Sequence, residues 1–475
     1  MAHDRPVLFP HAIVPPVTAP DPGAAGAPSL PSARRWLPLL FVGAVSLFQL
    51  DRLIAFTARN AVNVLYWDQW DFYTPFFAHA SLWRVFAWQH GPPRLGVGSV
   101  FAWLVAGLTH WNTRVEALAT VGVVAAAAAA ALLLKRALFG SLAFTDVVIP
   151  LLLLSRAQHE ALVGVTDPSH GPFPLLLAVL ICLAWLHPRR PVRYALVLSL
   201  NFLTIYTAFG WFMGLVTPAL LALDCRRAAR ERDRSALVAA VAGLAVSLLS
   251  LASFFVGYVF VPGAEGFRFP YGNGFAYLRY AGLVFANVVG LKARYGAVTS
   301  LAGIILVACA VGVLTYHLVL MTRRADGAER ASRVIVILVG WCLLFGLGTA
   351  VGRVHLGADT ADSSRYYLYV AAGALGLYFH VLTTRRAAVR VPAVAVVLAG
   401  SLVAGLHLSQ LDLDTIEHET NGKRAWRDCY LETEDVAGCD RRAEFAIHPR
   451  PGETGLQAKL DYLKRNKLNL FAADP

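Results

Sequence analysis

Residues 34–94 read RRWLPLLFVGAVSLFQLDRLIAFTARNAVNVLYWDQWDFYTPFFAHASLWRVFAWQHGPPR. Spanning about 30 Å of hydrocarbon takes roughly 20 helical residues, and the apolar run over 36–56 has that length. Arg34 and Arg35 stand immediately before it. Because cytoplasmic loops collect Lys and Arg, this pair places the N-terminus inside. The stretch from Tyr66 to Arg94 then emerges on the outer face. It carries Asp68 and Asp71 among Trp67, Trp70, Phe72 and Tyr73, with His90 and Arg94 a short reach further on.

The rest of the chain repeats the character of that first run. Of its 475 residues, 57% are hydrophobic and only 15% charged, and the mean hydropathy is +0.55. Soluble domains carry about 25% charged residues, so an all-α, polytopic integral membrane protein in a lipid bilayer is the expected fold class. The net charge of +12 does not point to nucleic acid, because the arginines cluster in short loops between apolar runs, the positive-inside pattern. Cys182, Cys309 and Cys342 lie in apolar runs as small hydrophobes, and Cys225 sits beside the Arg-rich 226–234 loop. Cys429 and Cys439 fall in a polar segment, at a spacing that permits a local disulfide outside the cytoplasm.

Residues 1–33, rich in Pro, Ala and Gly, read as a disordered cytoplasmic tail. Apolar runs follow near 95–110, 115–134, 145–163, 172–187, 194–223, 236–261, 275–290, 297–321, 333–352, 366–383 and 391–408. Between them Lys135/Arg136, Arg189/Arg190/Arg193, Arg226 to Arg234, Arg323 to Arg333 and Arg385 to Arg390 all belong inside. That parity lays 95–110 on the outer surface, makes 275–290 a surface or partly inserted helix, and breaks 194–223 into two short helices around Tyr206 to Trp211. About 11 crossings remain, with the N-terminus inside and the C-terminus outside. A transmembrane domain over 34–409, with a first outer loop at 57–110, precedes an extracytoplasmic segment at 410–475.

Several residues on the outer face could carry chemistry. Asp68 and Asp71, three apart, share a face on a helical turn, where two carboxylates raise one pKa; one would be a general base, or both would hold a cation such as Mg or Mn. Capping and solvating the exit of the first span is the plainer reading. Asp167, in VTDPSHGP, is either an N-cap before Pro168 or a second functional acid. His159, Glu160, His170 and His355 lie near the same face, without the i, i+4 spacing of a helical zinc motif, so no metal ligand is assigned. Arg353, His355 and Arg365 share one outer loop with Asp359 and Asp362, and Arg279, Lys292 and Arg294 share another. Outer-face cations depart from the positive-inside trend. A phosphate would compensate them through the bidentate arginine fork, and so would local pairing or lipid headgroups.

With these residues the chain resembles the GT-C class of membrane glycosyltransferases, which use polyprenyl-phosphate-linked sugars. The likeness rests on an N-inside first span, the outer-loop stretch WDQWDF, a surface helix opening after PPRLG, the DP pair at Asp167–Pro168, and an outer C-terminal segment. Within that class it resembles a bacterial branch whose first loop reads WDxWDF before a basic Pro-Arg-Leu pattern, here QHGPPRL. The resemblance implies a sugar transferred from a polyprenyl-phosphate donor to a glycan, lipid or protein acceptor on the outer face of the bacterial inner membrane. It implies a first-loop acid, Asp68 or Asp71, as base, and Asp167 as the second acid. Donor phosphate would be held by Arg365 and Arg353, with His355, Arg279 and Lys292 as further candidates. His90, Arg94, Trp67, Trp70 and His170 would position substrate. A transporter or flippase for lipid-linked glycans and a non-catalytic scaffold of an envelope-polysaccharide machine are the competing readings; few acids fall inside the spans and no repeat is evident, which speaks against the first.

Overall fold

The computed structural model describes residues 33–260, 266–323, 329–452 and 454–472. The expected tail over 1–33 lies outside them except for Ala33, which opens the first helix. The described residues form helices, turns and two isolated bridges, and no strand. In chain order the longer helices are α1 (Ala33–Asn60), α2 (Gly96–Leu108), α3 (Thr113–Phe139), α4 (Pro172–Trp185), α5 (Arg190–Ile205), α6 (Val216–Glu231) and α7 (Arg234–Ser253). They continue as α8 (Gly274–Ala286), α9 (Ala297–Thr322), α10 (Glu329–Arg353), α11 (Tyr367–Thr383), α12 (Ala387–Leu406), α13 (Gln410–Thr433) and α14 (Leu456–Asn466).

Among the described residues seven helices are long and apolar enough to cross a membrane. They are built on α1, α3, α7, α9, α10, α11 and α12. Their starts are written locally: the Asn112 side chain accepts from the amides of Arg114 and Val115 to open α3, and Asp233 accepts from Ala236 to open α7. Helices α3, α10 and α11 are largely enclosed, whereas α1, α7, α9 and α12 leave Leu47, Leu249, Val298 and Val396 at least 69% exposed. Apolar side chains at that exposure suit a lipid surrounding. Helices α2 and α8 have 13 residues each, about 20 Å at 1.5 Å per residue, short of the hydrocarbon thickness. Helix α8 packs closely on α9 because Gly282 meets Gly303, where a Cβ on Gly303 would fall 1.8 Å from the Gly282 carbonyl oxygen.

Two expected runs deserve separate description. The 194–223 run breaks between α5 and α6, at Tyr206–Phe209, and a Cβ on Gly210 would meet the Thr204 carbonyl oxygen at 1.6 Å. The 145–163 run, expected as one crossing, is not one helix. Only Val148–Leu153 is α-helical; 3-10 turns flank it at Phe144–Val147 and Arg156–Gln158, and Glu160–Gly164 closes as a π turn. Side chains replace the missing ladder: Ser155 Oγ donates to the Ala404 carbonyl, and Gln158 Nε2 donates to the carbonyls of Leu153 and Ser155 at 3.1 and 2.8 Å. Buried among α1, α11 and α12, irregular backbone of this kind is tolerated because protein satisfies its polar groups.

The two ends of the bundle differ in chemistry. At one end the basic loops gather acids: Lys135 pairs with Asp146 at 2.6 Å, Arg190 with Asp233 at 3.3 Å and Arg333 with Asp224 at 2.6 Å. At the other end the first loop and the C-terminal segment share one core, with Trp70 and Trp426 both fully buried. Trp67 N donates to the Ile447 carbonyl at 3.0 Å, Asn469 N to the His110 carbonyl at 2.9 Å, and Lys459 Nζ to the Trp70 carbonyl at 2.6 Å. The Cys429–Cys439 disulfide lies inside this layer, with Cα atoms 5.7 Å apart. Residues 410–452 and 454–472 thus share a core with the first loop.

Candidate active site

Four stretches far apart in sequence meet beneath that layer. The first is the turn at Tyr66–Phe72. Gln69 holds it on both sides, accepting from Tyr66 N at 3.1 Å and donating to the Thr166 carbonyl at 3.3 Å, while Tyr66 stacks on Phe445 at 5.1 Å. Asp68 opens the helical turn Gln69–Phe72 without capping it, which leaves its carboxylate free. One oxygen lies 3.7 Å from His90 Nε2 and the other 3.7 Å from Arg365 Nη1.

Glu160, first residue of the π turn, sets the position of Arg365. Its amide donates to Ser364 Oγ at 2.8 Å, its Oε2 accepts from Ser363 Oγ at 2.6 Å, and its Oε1 accepts from Arg365 Nε at 2.7 Å and from Arg365 Nη2. Burial alone would raise the Glu160 carboxyl, but the Arg365 guanidinium and these hydrogen bonds outweigh it and bring it down to about 2. Arg365 thus spends Nε and Nη2 on Glu160 and keeps Nη1 toward Asp68.

Asp167 and His170 form the third stretch. Asp167 accepts from Ser169 N at 2.8 Å and pairs with His170 Nδ1. These partners hold its carboxyl below the ordinary value despite burial, which pushes the other way. Gly98 of α2 makes room for this turn, since a Cβ there would sit 2.2 Å from Ser169 Oγ. Phe72 stands between the two histidines, edge-on to His90 at 4.8 Å and stacked on His170 at 6.3 Å. Burial lowers the His90 pKa below its ordinary value, more than Asp68 and Asp71 raise it.

Phe72, Glu160, Ala161, Val165, Asp167, His170 and Arg365 enclose a cavity of ≈ 10 Å³, room for about one water. Arg365 links this cavity to Asp68, which lies near His90; the Asp68, His90 and Arg365 side chains are 24%, 26% and 20% exposed, open enough for larger groups to reach them. Beside His90 a groove of ≈ 720 Å³ runs along Trp83, Trp88, Pro92, Tyr258 and Phe260.

The fourth stretch is α13, which braces the site from the side. Lys423 Nζ donates to the carbonyls of Val163 and Gly164 in the π turn. Asp412 accepts from Lys292 at 2.9 Å and lies 3.3 Å from His159, the residue before Glu160. Glu419 Oε2 is buried beside Gly164 with no hydrogen-bond partner among the described residues.

Of the residues expected in the site, Asp68, His90, Asp167, His170 and Arg365 come together. Asp71 turns aside: its carboxylate lies 3.8 Å from His448 Nε2, and its carbonyl accepts from Trp88 Nε1 at 3.2 Å. Arg94 does not reach the cavity. It is buried, donates to the carbonyls of Ala87, Phe254 and Val256, and lies over the rings of Tyr206, Phe254 and Tyr258, tying the first loop to the end of α7. Trp70 is core and Trp67 sits outside at 37% exposure. Lys292 is committed to Asp412 and Asn287, Arg279 donates to Ser300 Oγ at 3.4 Å, and Arg353 lies in electrostatic range of the Tyr280 and Tyr366 phenols. His355 packs on Phe267 at 5.8 Å. Among the described residues no three His, Cys, Asp or Glu side chains are grouped to hold a metal ion.

Sequence reading weighed Glu160 only as a metal ligand and did not single out Asp412, Glu419 or Lys423. Glu160 had a usable signal, an ionisable residue inside the 145–163 apolar run, since such residues are rare unless paired and functional. The tail residues had none. Comparison with protein families, with characterised proteins and with solved structures finds no match to this chain.

Proposed function

We propose that the protein is a membrane glycosyltransferase that takes a sugar from a polyprenyl-phosphate donor, with Asp68 as general base. The observation that carries this reading is one carboxylate beside a guanidinium whose Nη1 makes no hydrogen bond among the described residues. The acceptor hydroxyl oxygen bonds to the anomeric carbon as the bond from that carbon to the phosphate oxygen breaks. The hydroxyl proton passes to Asp68, and the departing phosphate takes its negative charge to Arg365 Nη1. His90, 3.7 Å from Asp68, orients the carboxylate or the incoming hydroxyl. Glu160 keeps Arg365 fixed and ionised throughout.

Eleven crossings, an outer-facing site and residence in a bacterial inner membrane belong to the same proposal. The positive-inside rule supports that orientation, because the arginine-rich ends of α5, α6 and α10 lie at the end opposite Asp68. The test reconstitutes the full chain in vesicles and supplies polyprenyl-phosphate-linked hexoses and pentoses as labelled donors. Asp68→Asn should lower transfer by about 10²-fold or more; transfer by Asp68→Asn at the rate of the unaltered chain would refute the assignment.

A further inference from the structure

The end of the bundle away from Asp68 holds a second built site. Where α4 ends and α5, α6, α7 and α10 meet, a pocket of ≈ 420 Å³ is lined by Arg190, Arg193, Arg227, Arg330 and Arg333, with Asp224, Glu231 and Glu329 as its acids. The acids are already engaged. Asp224 takes both terminal nitrogens of Arg333, at 2.6 and 3.0 Å, and Glu329 takes Arg227 and Arg333. Arg333, itself 9% exposed, is further fixed over the Trp185 ring at 4.4 Å, so the pocket floor is rigid. Arg190 is held by Asp233 outside the pocket.

Two arginines remain. Arg193 donates to the His187 carbonyl at 3.4 Å and lies over the Tyr194 ring at 5.7 Å, and its Nε is buried without a hydrogen-bond partner among the described residues. Arg330 is exposed, and among the described residues neither has a carboxylate within ion-pair distance. A buried guanidinium nitrogen with no acceptor calls for one, and paired arginines present the fork that fits phosphate oxygens. The surroundings say which phosphate. Leu196 on α5 and Val238 on α7, each two residues from a pocket-lining position, are 43% and 63% exposed, and Val241, about one turn beyond Val238, is 50% exposed. A ligand seated on Arg193 would therefore have acyl chains lying along these helices.

We propose that this pocket binds the phosphate headgroup of an anionic phospholipid, with Arg193 and Arg330 as its donors. Basic pockets between helix ends on the inner side of a membrane are suited to such headgroups. The site is independent of the reading of Asp68 and would hold for a transporter as well.

Native mass spectrometry of the full chain in neutral detergent tests it, with cardiolipin and phosphatidylcholine as probes and inorganic phosphate as competitor. Cardiolipin should be retained at one saturable site and phosphatidylcholine should not. Arg193→Gln and Arg330→Gln should each weaken cardiolipin roughly fivefold, while Arg465→Gln at the far end changes nothing. Arg193→Lys, which keeps the charge, should retain most of the binding, so loss through misfolding is distinguishable. Equal retention of the two lipids, or unchanged cardiolipin binding in both glutamine variants, overturns the proposal. Displacement of cardiolipin by millimolar inorganic phosphate also overturns it, because the occupant would then be a soluble anion.

Discussion

Arg365 reaches Asp68 at 3.7 Å only because Glu160 turns it there, taking Nε at 2.7 Å and leaving Nη1 toward the first loop. An acid from the first loop, an acid from a π turn and a cation from the stretch before α11 thus form one line. The two acids have opposite tasks. Glu160 is saturated with donors and stays ionised as a support, whereas Asp68 has two partners at the edge of ion-pair range and remains available.

The acid pair in the first loop should separate by mutation. Asp68→Asn should lower transfer about 10²–10⁴-fold, the range of a lost general base, and Asp71→Asn should cost less than about tenfold. Labelled-donor assays in vesicles decide between them; a larger loss in Asp71→Asn would move the base to the position facing His448.

Removing Glu160 should harm stability as well as activity. Glu160→Gln strands the Arg365 charge in a site only a fifth exposed, and a broken pair of that kind costs about 3 kcal/mol. Thermal unfolding in detergent should show a lower Tm. The double variant Glu160→Gln/Arg365→Met should recover part of the loss, because no unpaired charge remains; no recovery would argue that the pair is not coupled.

Two carboxyls predict opposite pH limbs. Glu160 falls from about 4.3 in an unfolded chain to about 2 when folded. Its contribution is complete above about pH 4.3 and is lost as pH falls through about 2. Asp362 is raised by burial to about 6, although the Ala293 amide and Lys292 oppose this. With an unfolded value near 3.9, its share of stability is present below that pH and lost as pH rises through about 6. Tm measured from pH 3 to pH 8 should peak between these limbs, and Asp362→Asn should flatten the upper one.

Truncation after Leu408 should disable the site rather than trim an accessory. It removes Trp426, Tyr430 and Leu460 from the core that holds Trp70, and removes Lys423 from the carbonyls beside Glu160. Limited proteolysis should then cut within 57–94, and transfer should disappear. Retained transfer with a protected first loop would show that the layer is dispensable.

A single methyl offers a finer probe. Gly98→Ala places a Cβ 2.6 Å from Ser169 N, against backbone that cannot yield. Overpacking of this sort costs about 1–3 kcal/mol and displaces the Asp167 turn. The expected readout is a lower kcat with the chain still folded by circular dichroism; an unchanged kcat would mean that α2 does not position Asp167.

The sequence by itself determined that the chain is helical with runs apolar and long enough to cross a membrane, and it carried the local grammar. Apolar runs of helical length, arginines at one set of loop ends, and aromatic acids after the first run follow from the cost of burying charge and backbone in hydrocarbon. Those terms are local, so Asp68 and Asp71, unranked, and Asp167 stood out as candidate acids and Arg365 as a candidate cation, and Cys429 and Cys439 could be paired by their spacing. Tertiary structure alone decided the rest. The 145–163 run reads as a span because composition is apolar throughout, but Ser155 and Gln158 satisfy its backbone from the side and let it break, which puts Glu160 beside Arg365. Arg94 and Lys292 look like free cations in sequence, yet carbonyls and Asp412 from distant segments consume them. Lys423 and Glu419 look like surface charges of a polar helix until that helix is laid across the π turn. A contact between residues hundreds of positions apart leaves no periodicity in the chain, and the assembly of this site depends on such contacts.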